Sequence, residues 1–111
     1  MKRVLFLVLL FISSYSVQSQ EKRLALVIGN ANYDKGALEN PVKDAKLIAK
    51  TLDSLDFEVI LATNIEDQRS LQNKIREFGN KRKDYDVGFV YYAGHGVQIN
   101  GENYLLPTKE I

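Results

Sequence analysis

Leu24-Ala25-Leu26-Val27-Ile28 is an unbroken apolar run closed by Gly29. A strand with one wet face alternates apolar and polar residues. A continuous run of this length therefore reads as a strand buried on both faces, the kind found in parallel sheets covered by helices. Phe57 to Ala62 and Val87 to Ala93 are two further apolar runs, the last rich in aromatics (Phe89, Tyr91, Tyr92). Helical patterns separate the three. Asn40-Pro41 is a helix start, with Asn as N-cap and Pro in the first helical position. Behind it Val42, Ala45, Ile48, Ala49, Leu52 and Leu55 recur at helical spacing. From about Asp67 to Lys83, Leu71, Ile75 and Phe78 form a narrow stripe on a charged helix. Gly79 weakens that helix by about 1 kcal/mol relative to Ala. This alternation predicts βαβ units.

Asn100-Gly101 stands between Val97-Gln98-Ile99 and Glu102-Asn103-Tyr104-Leu105. Asn-Gly between such segments predicts a two-residue hairpin, because both turn positions need positive φ. Three strands and a hairpin fall short of the ~4–6 strands of a typical open sheet. The apolar stretch Tyr104-Leu105-Leu106-Pro107 lies just before the last residue, Ile111. The expectation is the N-terminal part of a larger α/β domain.

The first nineteen residues read differently. Lys2 and Arg3 precede the apolar run Val4 to Ile12, and small and polar residues follow from Ser13 to Gln20. Basic start, short apolar middle and small-residue cleavage site are the parts of a secretory signal. Cleavage is expected after Ser19, with Val17 at the −3 position. The run is shorter than the ~20 residues that span a bilayer, so no stable membrane span is expected. A first strand or a short membrane anchor is the competing reading. The division is thus a signal peptide at 1–19 and a domain at 20–111, exported to periplasm or extracellular space. Loss of Lys2 and Arg3 leaves 13 basic against 14 acidic residues. So balanced a charge gives no electrostatic case for nucleic acid as a partner. The absence of cysteine excludes a disulfide, a Cys-based zinc site and a thiol nucleophile within these 111 residues.

The single histidine, His95, follows the third apolar run in Tyr91-Tyr92-Ala93-Gly94-His95-Gly96. Open α/β sheets bind ligands at the carboxyl ends of their strands. A histidine there suits general-base work, since its ordinary pKa of ~6.5 lies near working pH. The Gly96 amide has no side chain beside it and is a candidate oxyanion donor. Taken alone, a histidine after a strand is more often a polar loop residue. One histidine is also a poor zinc site, which wants three or four protein ligands.

The stretch from about Arg23 to Pro107 resembles the caspase-like (C14) peptidase domain, specifically its bacterial metacaspase-like or orthocaspase branch. The resemblance rests on Leu26-Val27-Ile28-Gly29-Asn30 with Tyr33, on Leu38, Asn40, Lys43, Asp44 and Ala45, and on Tyr91 to Gln98. Gly101 and Asn103-Tyr104-Leu105-Leu106-Pro107 complete it, all in the family's order. It implies a three-layer αβα caspase-hemoglobinase fold: a mainly parallel sheet with a hairpin after the catalytic-histidine loop, its C-terminal strands missing here. It implies a cysteine-type endopeptidase acting on polypeptides through a Cys/His dyad; calcium dependence occurs in parts of the family, but no acidic cluster in this sequence argues for a metal site, and no cofactor is expected. His95 then matches the catalytic histidine and Gly96 the oxyanion glycine. The family's nucleophile ends the next parallel strand, and no residue here is assigned to it. Truncation explains its absence together with the missing strands; a degenerate homologue, serving as a non-catalytic scaffold or binding module, is the alternative.

Caspases proper hold a substrate Asp with an arginine from the loop before the first helix. Gly36-Ala37-Leu38-Glu39-Asn40 has none. The metacaspase-like branch reads Arg or Lys with carboxylates, and Asp44 matches one of them. Asp44 also suits a helix N-terminus on charge grounds alone. Glu102 reads as part of a solvated turn, and Tyr91 and Tyr92 as packing on opposite faces. Asn30 and Tyr33 lie at the same carboxyl edge as His95; loop capping is the default reading and lining the site the alternative. Lys81-Arg82-Lys83 reads as a solvated helix end. A nucleotide site is disfavoured, because Gly29-Asn30-Ala31-Asn32 lacks the Gly-x-Gly-x-x-Gly spacing.

Overall fold

A computed structural model of the chain describes residues 2–13, 21–34 and 36–109. In chain order its elements are β1 (Lys2–Ser13), β2 (Arg23–Gly29), α1 (Pro41–Ser54), β3 (Phe57–Thr63), α2 (Gln68–Arg82), β4 (Val87–Ile99) and β5 (Glu102–Leu105). The sheet order is β1-β4-β2-β3, with β5 pairing the far end of β4. β2 lies parallel to both β3 and β4, Arg23 facing Phe57 on one side and Val87 on the other.

The apolar run in β2 is buried on both faces, as expected. Ala25 and Val27 pack under α1 with Ala45, Ala49, Leu52 and Tyr91. Leu24, Leu26 and Ile28 pack under α2 with Ile60, Leu71, Phe78 and Tyr92. Period-two alternation thus splits one continuous run between two cores and makes the three-layer arrangement. Gly29 ends β2 where α1 crosses closely: a Cβ there would meet the Pro41 carbonyl and Ala45.

Two local expectations change. Asn40 holds the N-cap position, but its backbone is already helical (φ −104°, ψ −19°) and its side chain makes no cap bond. A side-chain cap needs extended backbone at that position. Asp67 has it (φ −139°, ψ 163°) and accepts from the Ser70 N–H at 2.8 Å. The third strand also does not stop at Ala93. It runs to Ile99, because β4 exchanges partners: residues 87–93 pair with β2 and residues 96–99 with β5. His95 therefore lies within a strand, not in a loop between strand and hairpin. The hairpin turns at Asn100 and Gly101, with φ of 51° and 81°.

The apolar run of the expected export signal forms β1, antiparallel along the open edge of β4. The cleavage region at 14–20 lies outside the described residues. β1 is poorly covered: Leu5, Leu7, Leu9 and Phe11 are each more than 60% exposed.

Leu26 is 1% exposed and Leu47 is 64% exposed, although both are leucines of the α/β unit. Leu26→Ala is expected to lower unfolding free energy by about 2–5 kcal/mol, and Leu47→Ala by less than about 0.5 kcal/mol, both read from urea titrations. Tyr92 gives a pH test. Burial, then its contact with Tyr33, push its hydroxyl far above the ordinary tyrosine value. An unfolded tyrosine ionises near pH ~10. Above that the unfolded chain binds fewer protons than the folded one, so stability falls as pH rises. The expected slope from this group is at most about 1.4 kcal/mol per pH unit. Urea midpoints between about pH 9 and about pH 11 should fall less steeply in Tyr92→Phe.

Candidate active site

The carboxyl ends of β2, β3 and β4 meet a loop from each side, and buried side chains lace them together. Asn30 follows β2 and is fully buried. Its N–H donates to the Ala93 carbonyl at 2.8 Å, and its Oδ1 accepts from the Ile65 N–H at 2.9 Å. Its Nδ2 reaches the Leu106 carbonyl at 3.4 Å. Asn64, in the left-handed region at φ 52°, presents Oδ1 to the N–H groups of Ala31 (3.0 Å) and Asn32 (3.1 Å). Polar groups buried at a sheet end are costly unless paired, and this lattice pairs them.

His95 sits on top of that lattice, partly exposed. Its backbone N–H donates to the Tyr33 hydroxyl at 2.9 Å. Its carbonyl accepts from the Tyr92 hydroxyl at 2.7 Å and from the Leu106 N–H at 3.0 Å. The Tyr33 ring meets the imidazole edge-on, 4.5 Å between centroids. Gly94 makes room for both hydroxyls, since a Cβ there would lie 2.6 Å from that of Tyr92 and 2.8 Å from that of Tyr33.

The imidazole Nε2 lies 2.5 Å from the Gly36 carbonyl oxygen. A carbonyl can only accept, so Nε2 carries the hydrogen and Nδ1 is the accepting nitrogen of the neutral ring. Gly36 takes φ 80°, a conformation that favours glycine. An ion pair from Lys109 to Asp34, 3.1 Å, ties the segment after β5 to the same loop.

Gly96 follows in β4 and is buried. Its strand neighbours are Val4 of β1 and Leu105 of β5. Backbone groups of successive residues point to opposite edges of a strand. Those of His95 turn toward β5 and Tyr33, so those of Gly96 turn toward β1. The Phe6 ring also fills the space beside its Cα. Its amide thus faces the edge of β4 and is covered while β1 is paired there.

Asp44 lies exposed in the first turn of α1. Together with Glu39, Leu38 and Ala93 it lines a cleft of about 280 Å³ between that helix end and Leu5–Leu7 of β1. Burial, and then the negative field of Asp44, hold the Tyr91 hydroxyl above its ordinary value. The cleft reaches Ala93, two residues before His95, and His95 itself does not line it. Glu102 is exposed on the hairpin, where it accepts from the Tyr104 hydroxyl at 2.7 Å. Among the described residues no group of three or more His, Cys, Asp or Glu is placed to hold a metal ion. No helix among them is long and apolar enough to cross a membrane.

The sequence offers Asn30 and Tyr33 as loop caps or as lining residues, and does not single out Gly36. Asn30 and Tyr33 bind segments about sixty to eighty residues away in the chain, which no local pattern reveals. Gly36 acts through its carbonyl, so a glycine near the first strand end was the only available signal.

Comparison with known proteins agrees with this architecture. The family model described as the caspase domain, Peptidase_C14, matches residues 22–111. The human mucosa-associated lymphoid tissue lymphoma translocation protein 1 is 31% identical over 87 residues, 78% of this chain and 10% of that protein. Caspase a of Danio rerio is 32% identical over 83 residues, 71% of this chain and 21% of that protein. The chain thus spans about a tenth of the first relative and a fifth of the second. Matched over all of its residues after Glu21, with the family's α/β architecture, the chain belongs to the caspase domain family of C14 peptidases.

Proposed function

We propose that this domain is the histidine-bearing part of an exported cysteine-type endopeptidase of the metacaspase-like branch, which cleaves polypeptides after Arg or Lys. The observation that carries this reading is the held imidazole, with Nε2 engaged by Gly36 and Nδ1 left to accept a proton. The nucleophilic cysteine is supplied by polypeptide outside these 111 residues, which contain none.

In the proposed reaction Nδ1 of His95 takes the thiol proton. The thiolate attacks the scissile carbonyl carbon, and the carbonyl oxygen becomes an oxyanion. The Gly96 amide, on the edge now held by β1, donates to that oxygen. The C–N bond breaks as the imidazolium returns its proton to the leaving amine. Water, deprotonated by the same nitrogen, attacks the thioester carbon; the C–S bond breaks, the acid leaves and the cysteine sulfur takes the proton back from the imidazolium. Removal of residues 1–19 as an export signal would uncover the β4 edge and the Gly96 amide together. The poor cover of β1 supports its being a temporary occupant. Asp44 and Glu39, two carboxylates beside the start of α1 that stay on the domain when β1 leaves, support a basic side chain as the one recognised. The absent cysteine favours the second reading, a non-catalytic caspase-like scaffold or binding module.

Activity separates the two. The 111-residue chain is expected to hydrolyse no Arg- or Lys-ended peptide reporter. The longer polypeptide, read on past Ile111, is expected to carry a cysteine after an apolar strand and to be active. In it, His95→Ala should lower kcat/KM by about 10²–10⁴-fold. Asp44→Asn should lower it by about 10–100-fold for basic reporters, the worth of one charge-assisted contact. No cysteine, or turnover indifferent to His95, contradicts the peptidase reading. Indifference to Asp44 contradicts the assigned specificity.

A further inference from the structure

We infer that Tyr33 is a positioning residue for His95: its hydroxyl fixes the histidine backbone and its ring fixes the imidazole plane. As a role in catalysis, this rests on the proposed use of His95 for proton transfer. Tyr33 is 3% exposed and lies in the loop after β2, 62 residues before His95 in the chain. A side chain there only to fill the core would need the ring and not the hydroxyl. The hydroxyl is fully employed. It accepts the His95 N–H at 2.9 Å and donates to the Leu106 carbonyl at 2.7 Å. Tyr92 stands 3.3 Å from it and holds the other backbone group of the same residue, the His95 carbonyl.

The ring does separate work. It meets the imidazole at 63° and 4.5 Å, while Gly36 takes Nε2. An imidazole held only by one carbonyl can swing about that contact. An aromatic edge beside it removes the swing and keeps Nδ1 aimed in one direction. Proton transfer is sensitive to such placement, since a base must lie within hydrogen-bond reach of the proton it takes. Placing the clamp on the β2 loop also couples the histidine to the strand on which the sheet is built.

The test uses NMR of the 111-residue chain, in which His95 gives the one imidazole signal set. Tyr33→Phe keeps the ring and removes the hydroxyl; Tyr33→Leu removes both. Amide exchange at His95 is measured relative to Leu26 in the core, so that a uniform loss of stability cancels. In Tyr33→Phe the His95 amide is expected to exchange at least about tenfold faster on that scale, with its imidazole in one χ1 rotamer. In Tyr33→Leu the imidazole is expected to average over rotamers. Unchanged relative exchange in Tyr33→Phe overturns the role of the hydroxyl. A single rotamer retained in Tyr33→Leu overturns the role of the ring. If Tyr33→Leu does not fold, Tyr33→Met, which keeps apolar bulk without an aromatic ring, is read in its place by the same criterion. None of these readouts requires hydrolysis, so the inference stands or falls apart from the peptidase reading.

Discussion

One carbonyl oxygen organises the carboxyl end of the sheet. The Leu106 oxygen faces the Tyr33 hydroxyl at 2.7 Å, the Tyr92 hydroxyl at 3.3 Å and the Asn30 amide at 3.4 Å. These groups come from the loop after β2, from β4 and from the residue that follows β2. The acceptor belongs to the residue just after β5, the strand returning from the hairpin. The contacts bring segments distant in sequence to one buried point, where water cannot substitute for a lost partner. His95 stands one hydrogen bond away from it on each side, through Tyr33 and Tyr92. Its orientation follows from the fold of the whole sheet end and not from its own loop.

That dependence explains what was legible in the sequence. The strands of the α/β core, both helices and the hairpin could be read locally, because each is written in periodicity or turn chemistry: Leu24–Ile28, the Ala45/Ala49/Leu52 stripe, Asn100-Gly101. The division of Tyr91 and Tyr92 between two cores also follows from period two. The continuation of β4 through His95 was not legible. Gly94 and Gly96 look like a loop, and only pairing with β5 and β1 makes them strand. The candidate site was legible only as a set of residues: His95 was expected at a strand end but lies inside β4, and Asp44 lines a cleft that His95 does not. The supports of His95 were not legible, since Tyr33, Asn30 and Gly36 act across the chain.

The N-terminal run poses the opposite case, a segment with a clear local signature whose place in the fold is a matter of competition. As β1 it satisfies the open edge of β4, which unpaired would be a liability. It does so with leucines and a phenylalanine left in solvent. The same pairing covers the Gly96 amide and walls the cleft beside Asp44. Backbone pairing favours the strand, and exposed apolar area opposes it. Whichever segment holds that edge determines whether the amide beside the histidine is open to a ligand.

The central claim is that the fold presents His95 with hydrogen on Nε2 and Nδ1 free to accept a proton. Long-range ¹H–¹⁵N correlation spectra of the single imidazole in its neutral form test it directly. The expected result is a predominantly Nε2–H tautomer, held by the Gly36 carbonyl. A predominantly Nδ1–H tautomer would contradict the Gly36 contact and, with it, the geometry from which a proton-accepting role for His95 is drawn.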